Sequence, residues 1–415
     1  MNKNIKLAVA GAILAAASVA QAGIIIPAGE WTLDIGGNVN AYSTWTRQTG
    51  TLAAGTGPLA ISNDGGIKSI NNITTGLLPN YLSVSGTTRQ NDLDVAFTIS
   101  INPGASTQSS LFQGSQQENR QAFMTFGDKS WGSFKLGKDL GIFASDAILN
   151  DMTLLGVGAG AGALAGNTTT LGRIGTGYMY ADWKSQIAYS TPNISGFQAT
   201  VGITQAFDAV DSLSGISGST ASRGGASPAY EGKASYSFAA NDVTGKIWVS
   251  GISQNLKNVG TNAGGRQNET AWASDIGANV NAAGFGLTGY YYYGEGIGQT
   301  GQFRDGFDLS GKKRDSQGGY VQATYVLPTK TKIGVSWGES NIDATSLDKA
   351  GSNWYTGYTA NKLTDEMWAV GAYHPLTKHL NLVAEWAKTE RKLEATTASI
   401  TGKSNTVSLG AILFF

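Results

Sequence analysis

Residues 93–102 read Leu93-Asp94-Val95-Ala96-Phe97-Thr98-Ile99-Ser100-Ile101-Asn102. Side chains of an extended chain point alternately to opposite faces. Leu93, Val95, Phe97, Ile99 and Ile101 therefore share an apolar face, and Asp94, Ala96, Thr98, Ser100 and Asn102 share a mostly wet one. The same period of two starts at Trp31, with Trp31, Leu33, Ile35, Val39, Ala41 and Trp45 against Thr32, Asp34, Asn38, Asn40, Tyr42 and Thr44. It returns around 197–204, 272–281 and 320–327, and closes the chain with Val407, Leu409, Ala411, Leu413 and Phe415. About sixteen such segments of about 10 residues recur, the length that crosses a bilayer at ~45° tilt.

The connections alternate as well. Tight turns are expected at Asp128–Gly132, Pro192–Gly196, Asn241–Gly245, Pro328–Lys330 and Pro375–Lys378. Long Gly/Ser/Thr/Asn-rich loops are expected at roughly 49–78, 103–119, 141–172, 205–229, 254–270, 295–316, 341–362 and 392–403. One rim of turns and one of loops describes an up-and-down barrel. Lipid forces closure, because each unpaired edge N–H or C=O would cost several kcal/mol in hydrocarbon. The expected fold is all-β: a transmembrane antiparallel up-and-down β-barrel of about 16 strands, too wide for side chains to fill and hence water-filled. No linker or composition shift divides the chain, so residues 23–415 read as a single barrel domain.

Residues 1–22 read as a cleaved signal peptide. Lys3 and Lys6 precede the apolar Leu7–Ala20, and Ala20-Gln21-Ala22 is a small-x-small cleavage site. Cutting there removes two lysines and no acid from a chain of 29 basic and 29 acidic residues, so the mature net charge is −2. The balanced charge leaves no basic excess for nucleic acid. With no cysteine, thiolate chemistry and Cys-ligated metals are excluded. The two histidines, His374 and His379, flank Pro375 and lack helical metal-pair spacing. The glycine-rich run 156–166 has no Lys-Ser/Thr after it, so it is no phosphate loop. No catalytic residues, metal or cofactor are expected. Aromatics such as Trp31, Trp45, Tyr189, Phe197, Phe285 and Trp337 fall near strand ends on the apolar face, where membrane barrels carry aromatic girdles.

The last ten residues, Thr406-Val407-Ser408-Leu409-Gly410-Ala411-Ile412-Leu413-Phe414-Phe415, resemble the terminal-strand signature of outer-membrane barrels. Gly76-Leu77-Leu78-Pro79-Asn80-Tyr81-Leu82, Asn119–Phe123 with Gly132–Lys138, and Gly172–Gly175 with Ile187–Pro192 follow in the order and spacing of the Gram-negative general porins, the trimeric sixteen-stranded family. The resemblance spans essentially the whole mature chain. It implies a homotrimer in the cell outer membrane, reached through the periplasm, in contact with outer-membrane lipid and lipopolysaccharide. It implies a third loop, about 141–172, folded into the lumen to form a constriction. Carried over position by position, Arg120 and Arg173 are wall arginines, with Lys135 and Lys184 joining them by strand parity. Asp146 and Asp151 are the facing loop carboxylates. Lys138 would stand by the subunit contact and meet a carboxylate from a neighbour's loop 103–119, whose acid is Glu118. The chain departs from the family in carrying Tyr81 where a basic residue is frequent, and in a loop half (156–166) without an acid.

The function expected is a water-filled channel for passive diffusion of small hydrophilic solutes and ions. A solute-specific sugar or carboxylate channel is the alternative. It would need a lumenal ladder of aromatics or arginines and usually eighteen strands, for which the run Tyr290–Tyr293 is the sole hint. An outer-membrane enzyme would need a Ser-His pair that two histidines beside a turn serve poorly. An adhesin or solenoid would need a fixed repeat that the unequal loops do not supply.

Overall fold

The computed structural model describes residues 23–51, 68–107, 117–160, 168–210, 227–261, 265–351, 359–395 and 399–415. The expected signal peptide, residues 1–22, lies outside them. The strands are β1 (Ile24–Ala28), β2 (Trp31–Gly50), β3 (Ser69–Thr74), β4 (Tyr81–Gln90), β5 (Leu93–Pro103), β6 (Gln117–Asp128), β7 (Gly132–Leu140), β8 (Trp183–Ser190), β9 (Phe197–Thr204), β10 (Ala229–Ala240), β11 (Val243–Thr261), β12 (Gly265–Ala282), β13 (Phe285–Glu295), β14 (Asp315–Val326), β15 (Lys332–Asp343), β16 (Ala360–Pro375), β17 (Leu380–Ala395) and β18 (Ser399–Phe414).

Every strand is antiparallel to its neighbours, and from β4 to β18 each pairs with the next in sequence. The ring closes where β18 pairs with β2, from Gly402↔Gly50 to Phe414↔Asn38. Two backbone bonds seal the seam, Gly37 N–H to Phe415 O at 2.8 Å and Phe415 N–H to Gly37 O at 3.1 Å. β1 continues the line of β18 along the lower half of β2, and β3 continues the line of β4 along its upper half. The eighteen segments therefore form sixteen staves and leave no open edge.

Burial is inverted relative to a water-soluble protein. On β2, Asn38, Asn40, Tyr42, Thr44 and Thr46 are buried, whereas Val39 and Trp45 are 57% and 43% exposed. Val407, Leu409 and Leu413 on β18 are exposed, with Thr406 and Ser408 buried between them. Exposed Trp45, Trp368 and Trp386 girdle the loop side. On the turn side, ring pairs such as Phe285–Tyr325 (4.4 Å), Phe134–Tyr189 (5.2 Å) and Trp31–Phe97 (5.6 Å) form the second girdle. The Trp and Tyr rings, with an apolar body and a polar tip, suit both interfaces. No described helix is long and apolar enough to cross a membrane.

The loop boundaries need correction. The stretches 254–270 and 392–403, expected as long loops, are mostly strand: β11 runs to Thr261, β12 starts at Gly265, β17 runs to Ala395 and β18 starts at Ser399. Beyond the lipid both faces of a hairpin can be polar, so the ladder continues after the alternation has stopped. Within 49–78 lies β3, while 52–67 is outside the described residues.

The segment after β15 carries a short helix, α2 (Ser346–Lys349), capped reciprocally by Thr345 and Asp348. Arg314 donates to both Asp348 oxygens at 2.8 Å, with both side chains buried. Burial pushes the Asp348 carboxyl up, but Arg314 and Thr345 outweigh it and hold it below its ordinary value. A depressed native value gives stability that is present above the unfolded value of about 4 and lost as pH falls through the native one. The α2 cap is therefore expected to resist proteolysis unchanged from pH 7 to about 5. Arg314→Met strands a buried carboxylate, at a local cost of about 3–5 kcal/mol. It should make residues 344–351 cleavable at neutral pH in limited proteolysis.

Candidate functional site

Between β7 and β8 the chain leaves the wall and crosses the lumen. The first part of this strap holds a one-turn helix, α1 (Ser145–Leu149), and a 3-10 turn, Met152–Leu155. Ala144, in the left-handed region at φ 61°, gives α1 no side-chain cap. The wall supplies acceptors instead. Glu231 Oε2 on β10 accepts from the N–H groups of Ile142 and Phe143, both at 2.8 Å, and Ser250 Oγ on β11 accepts from Ala144 at 3.1 Å. Free N–H groups at a chain reversal need such partners when buried.

Further along, wall side chains from most of the circumference hold the strap. Tyr320 OH donates to Ala147 O at 2.8 Å, and Gln322 accepts from Met152 N–H at 2.7 Å. Tyr42 OH donates to Leu155 O at 2.6 Å. Glu385 Oε2 on β17 accepts from Val157 N–H at 2.6 Å and Gly158 N–H at 3.1 Å, and Tyr373 OH donates to its other oxygen at 2.5 Å. A Cβ on Gly156 would overlap the Glu385 carboxylate. Beneath these bonds, Phe143, Ile148, Leu154, Leu155, Ile174 and Tyr178 bury an apolar underside against lumenal Trp248, Tyr290 and Tyr292. Of the run Tyr290–Tyr293, Tyr290 and Tyr292 face inward and pack this strap, while Tyr291 is 48% exposed outside. They form no ladder along a path.

The expected site residues divide. Asp146, in the first turn of α1, lies between two wall lysines, Lys233 Nζ at 2.9 Å and Lys246 Nζ. Burial pushes its carboxyl up, but the two ammonium groups outweigh that and hold it below its ordinary value. Lys135 on β7 projects into the lumen, pairs with Asp139 and lies over the Phe123 ring. Lys184 on β8 is fully buried, paired with Glu231 at 2.6 Å and bonded to Gln302 at 2.9 Å. Asp151 caps the 3-10 turn, accepting from Thr153 and from Tyr178 OH at 2.9 Å.

Arg173 lies on the strap and not on a strand. It is fully buried and donates to Met367 O at 3.0 Å and to Ser336 Oγ. Positive φ at Gly172, Gly175 and Gly177 keeps this stretch off the sheet. Arg120 is on β6, where the register against β5 slips between Ser100 and Asn102. It pairs with Glu118 at 2.9 Å and lies over the Trp183 ring. Lys138 donates to Asn119 O at 2.9 Å. Arg120 and Lys138 both border a cavity of about 450 Å³, shared with Leu140, Ile148, Leu171 and Asp182. Lys233, Lys246, Glu231 and Glu385 were not singled out in the sequence, where they look like ordinary wet-face residues. Among the described residues, no cluster of His, Asp and Glu is arranged to hold a metal.

A closed sixteen-stave ring, apolar outside and polar inside with a strap across its lumen, defines an outer-membrane diffusion channel. The chain belongs to the Gram-negative porin family, whose sequence model it matches over residues 8–393. Among solved structures it is similar to the outer membrane channel DcaP of Acinetobacter baumannii (14% identity, 94% of this chain and 99% of that one, TM-score 0.64). It is also similar to the anion-selective porin from Comamonas acidovorans (14%, 93% and 100%, TM-score 0.57). A third is the trimer form of OmpT of Vibrio cholerae (12%, 93% and 99%, TM-score 0.51). No curated protein matches the chain in sequence. The protein is thus an outer-membrane porin that passes solutes by passive diffusion.

Proposed function

We propose that residues 1–22 are removed on export and that residues 23–415 act as a homotrimeric, non-enzymatic channel for small hydrophilic solutes and ions. The observation that carries the channel is the inverted burial around a closed ring. The trimer form of the similar OmpT supports the threefold assembly. Its barrels would sit in outer-membrane lipid and lipopolysaccharide, and nucleic acid is no partner. Within the constriction, Lys135 stands nearest the solute path, and Asp146 lies covered beneath Lys233 and Lys246. Arg120, Arg173, Lys184 and Asp151 serve it by fixing the strap. Lys138, beside the cavity it shares with Arg120, takes the subunit contact. Planar-bilayer recording tests the reading: ohmic current should rise in groups of three equal steps. Single steps would contradict the trimer, and no current from folded protein would contradict the channel.

A further inference from the structure

We propose that the charge this channel presents to solute is a set of lumenal lysines, Lys135, Lys233, Lys246 and Lys332, and that it therefore admits small anions such as carboxylates and phosphates in preference to cations. The proposal rests on the channel reading above and adds the class of solute.

The carboxylates that pair with three of these lysines are better covered than the lysines themselves, and of the remaining inward acids Asp34 lies toward the turn side. The side chains of Lys135, Lys233 and Lys246 remain 32%, 22% and 32% exposed, whereas their partners Asp139 and Asp146 are 9% and 3% exposed. Asp146 also divides one negative charge between two ammonium groups, so one positive charge is left over. Lys332 opens β15 on the turn side of the barrel, half-buried on the inward face with Gly334 and Ser336. It lies over the Tyr373 ring at 5.2 Å, and no carboxylate of the described residues forms an ion pair with it.

The other inward acids at mid-barrel are buried and engaged: Glu231 with Lys184, Asp365 with Arg391, Asp275 with Ser250 and Tyr290, and Glu385 with the strap. Exposed Asp94 and the less exposed Asp128 gather around Arg89, beside the turn at Asn91–Asp92. An acid-against-base field across the constriction is thereby replaced by lysines spread over half the circumference, from β7 through β10 and β11 to β15, and wall charges of one sign bias which ions pass. The bias is local, because the Debye length is about 8 Å at physiological salt.

The test is the reversal potential of the wild-type channel in a potassium chloride gradient. Chloride should be preferred, more strongly near 0.1 M than near 1 M, as the Debye length grows from about 3 to about 10 Å. K332Q breaks no ion pair and should shift the potential toward the cation side. The double variant K233Q/K246Q should shift it further. Cation preference in the wild type would overturn the proposal, as would a potential unmoved by K332Q and by the double variant. Conductance steps with the wrong sign would remove only this proposal, whereas no steps at all would remove the channel itself.

Discussion

Glu231→Ala is expected to free the base of the strap while leaving the barrel assembled. Glu231 meets four donors: Lys184 Nζ at 2.6 Å, Thr204 Oγ1 at 2.7 Å, and the N–H groups of Ile142 and Phe143. Its removal strands a fully buried ammonium, which costs about 3–5 kcal/mol. Each orphaned N–H adds about 1–3 kcal/mol. These terms overlap and do not simply add. Residues 141–143 should therefore leave the wall, while Ser250, Tyr320 and the two lysines on Asp146 still tether the stretch that follows. Single-channel conductance should rise and its open-state noise should grow. Glu231→Gln keeps an acceptor oxygen for the two N–H groups and should fall between alanine and wild type. Wild-type conductance and noise in both variants would show that this carboxylate does not anchor the strap.

Ile276→Lys should destabilise the barrel strongly from its outer face. Ile276 is 53% exposed and is flanked across the ladder by Val249 and Tyr291, at 45% and 48%. A lysine facing lipid near the midplane costs about 2–4 kcal/mol. Asn279→Lys, on the same strand but facing the lumen, keeps its charge in water and should cost far less. Denaturant midpoints of the two variants folded in lipid decide the matter. Equal midpoints would contradict the assignment of faces.

Much of this was legible in the residues. Period two at Trp31–Trp45 and Leu93–Asn102 gave the two faces, because lipid and water impose opposite demands on neighbouring side chains. The turns at Asp128–Gly132 and Pro375–Lys378 stand out because Gly and Pro punctuate them. The hairpin extensions of β11 with β12 and of β17 with β18 were hidden, since outside the lipid no hydrophobic pattern marks a strand. The roles of Lys233, Lys246 and Glu231 were hidden for another reason. Each sits where any polar lumenal residue could sit, and its role depends on a strap some 90 to 100 positions away in sequence. Arg173 misled for the same reason: the glycines around it mark a chain leaving the sheet, but a resemblance placed it on the wall.

The chain contains no cysteine, so single cysteines can be introduced without background. Placed one at a time along residues 404–413 of β18, they report which way each side chain points. Labelled with a thiol-linked fluorophore, positions 407, 409 and 413 should be quenched by a nitroxide in the lipid tails, and unlabelled they should be spared by a charged, membrane-impermeant thiol reagent. Positions 406 and 408 should show the reverse. Reactivity that does not alternate, or lipid quenching on both faces, would contradict a barrel that turns its apolar side outward around water.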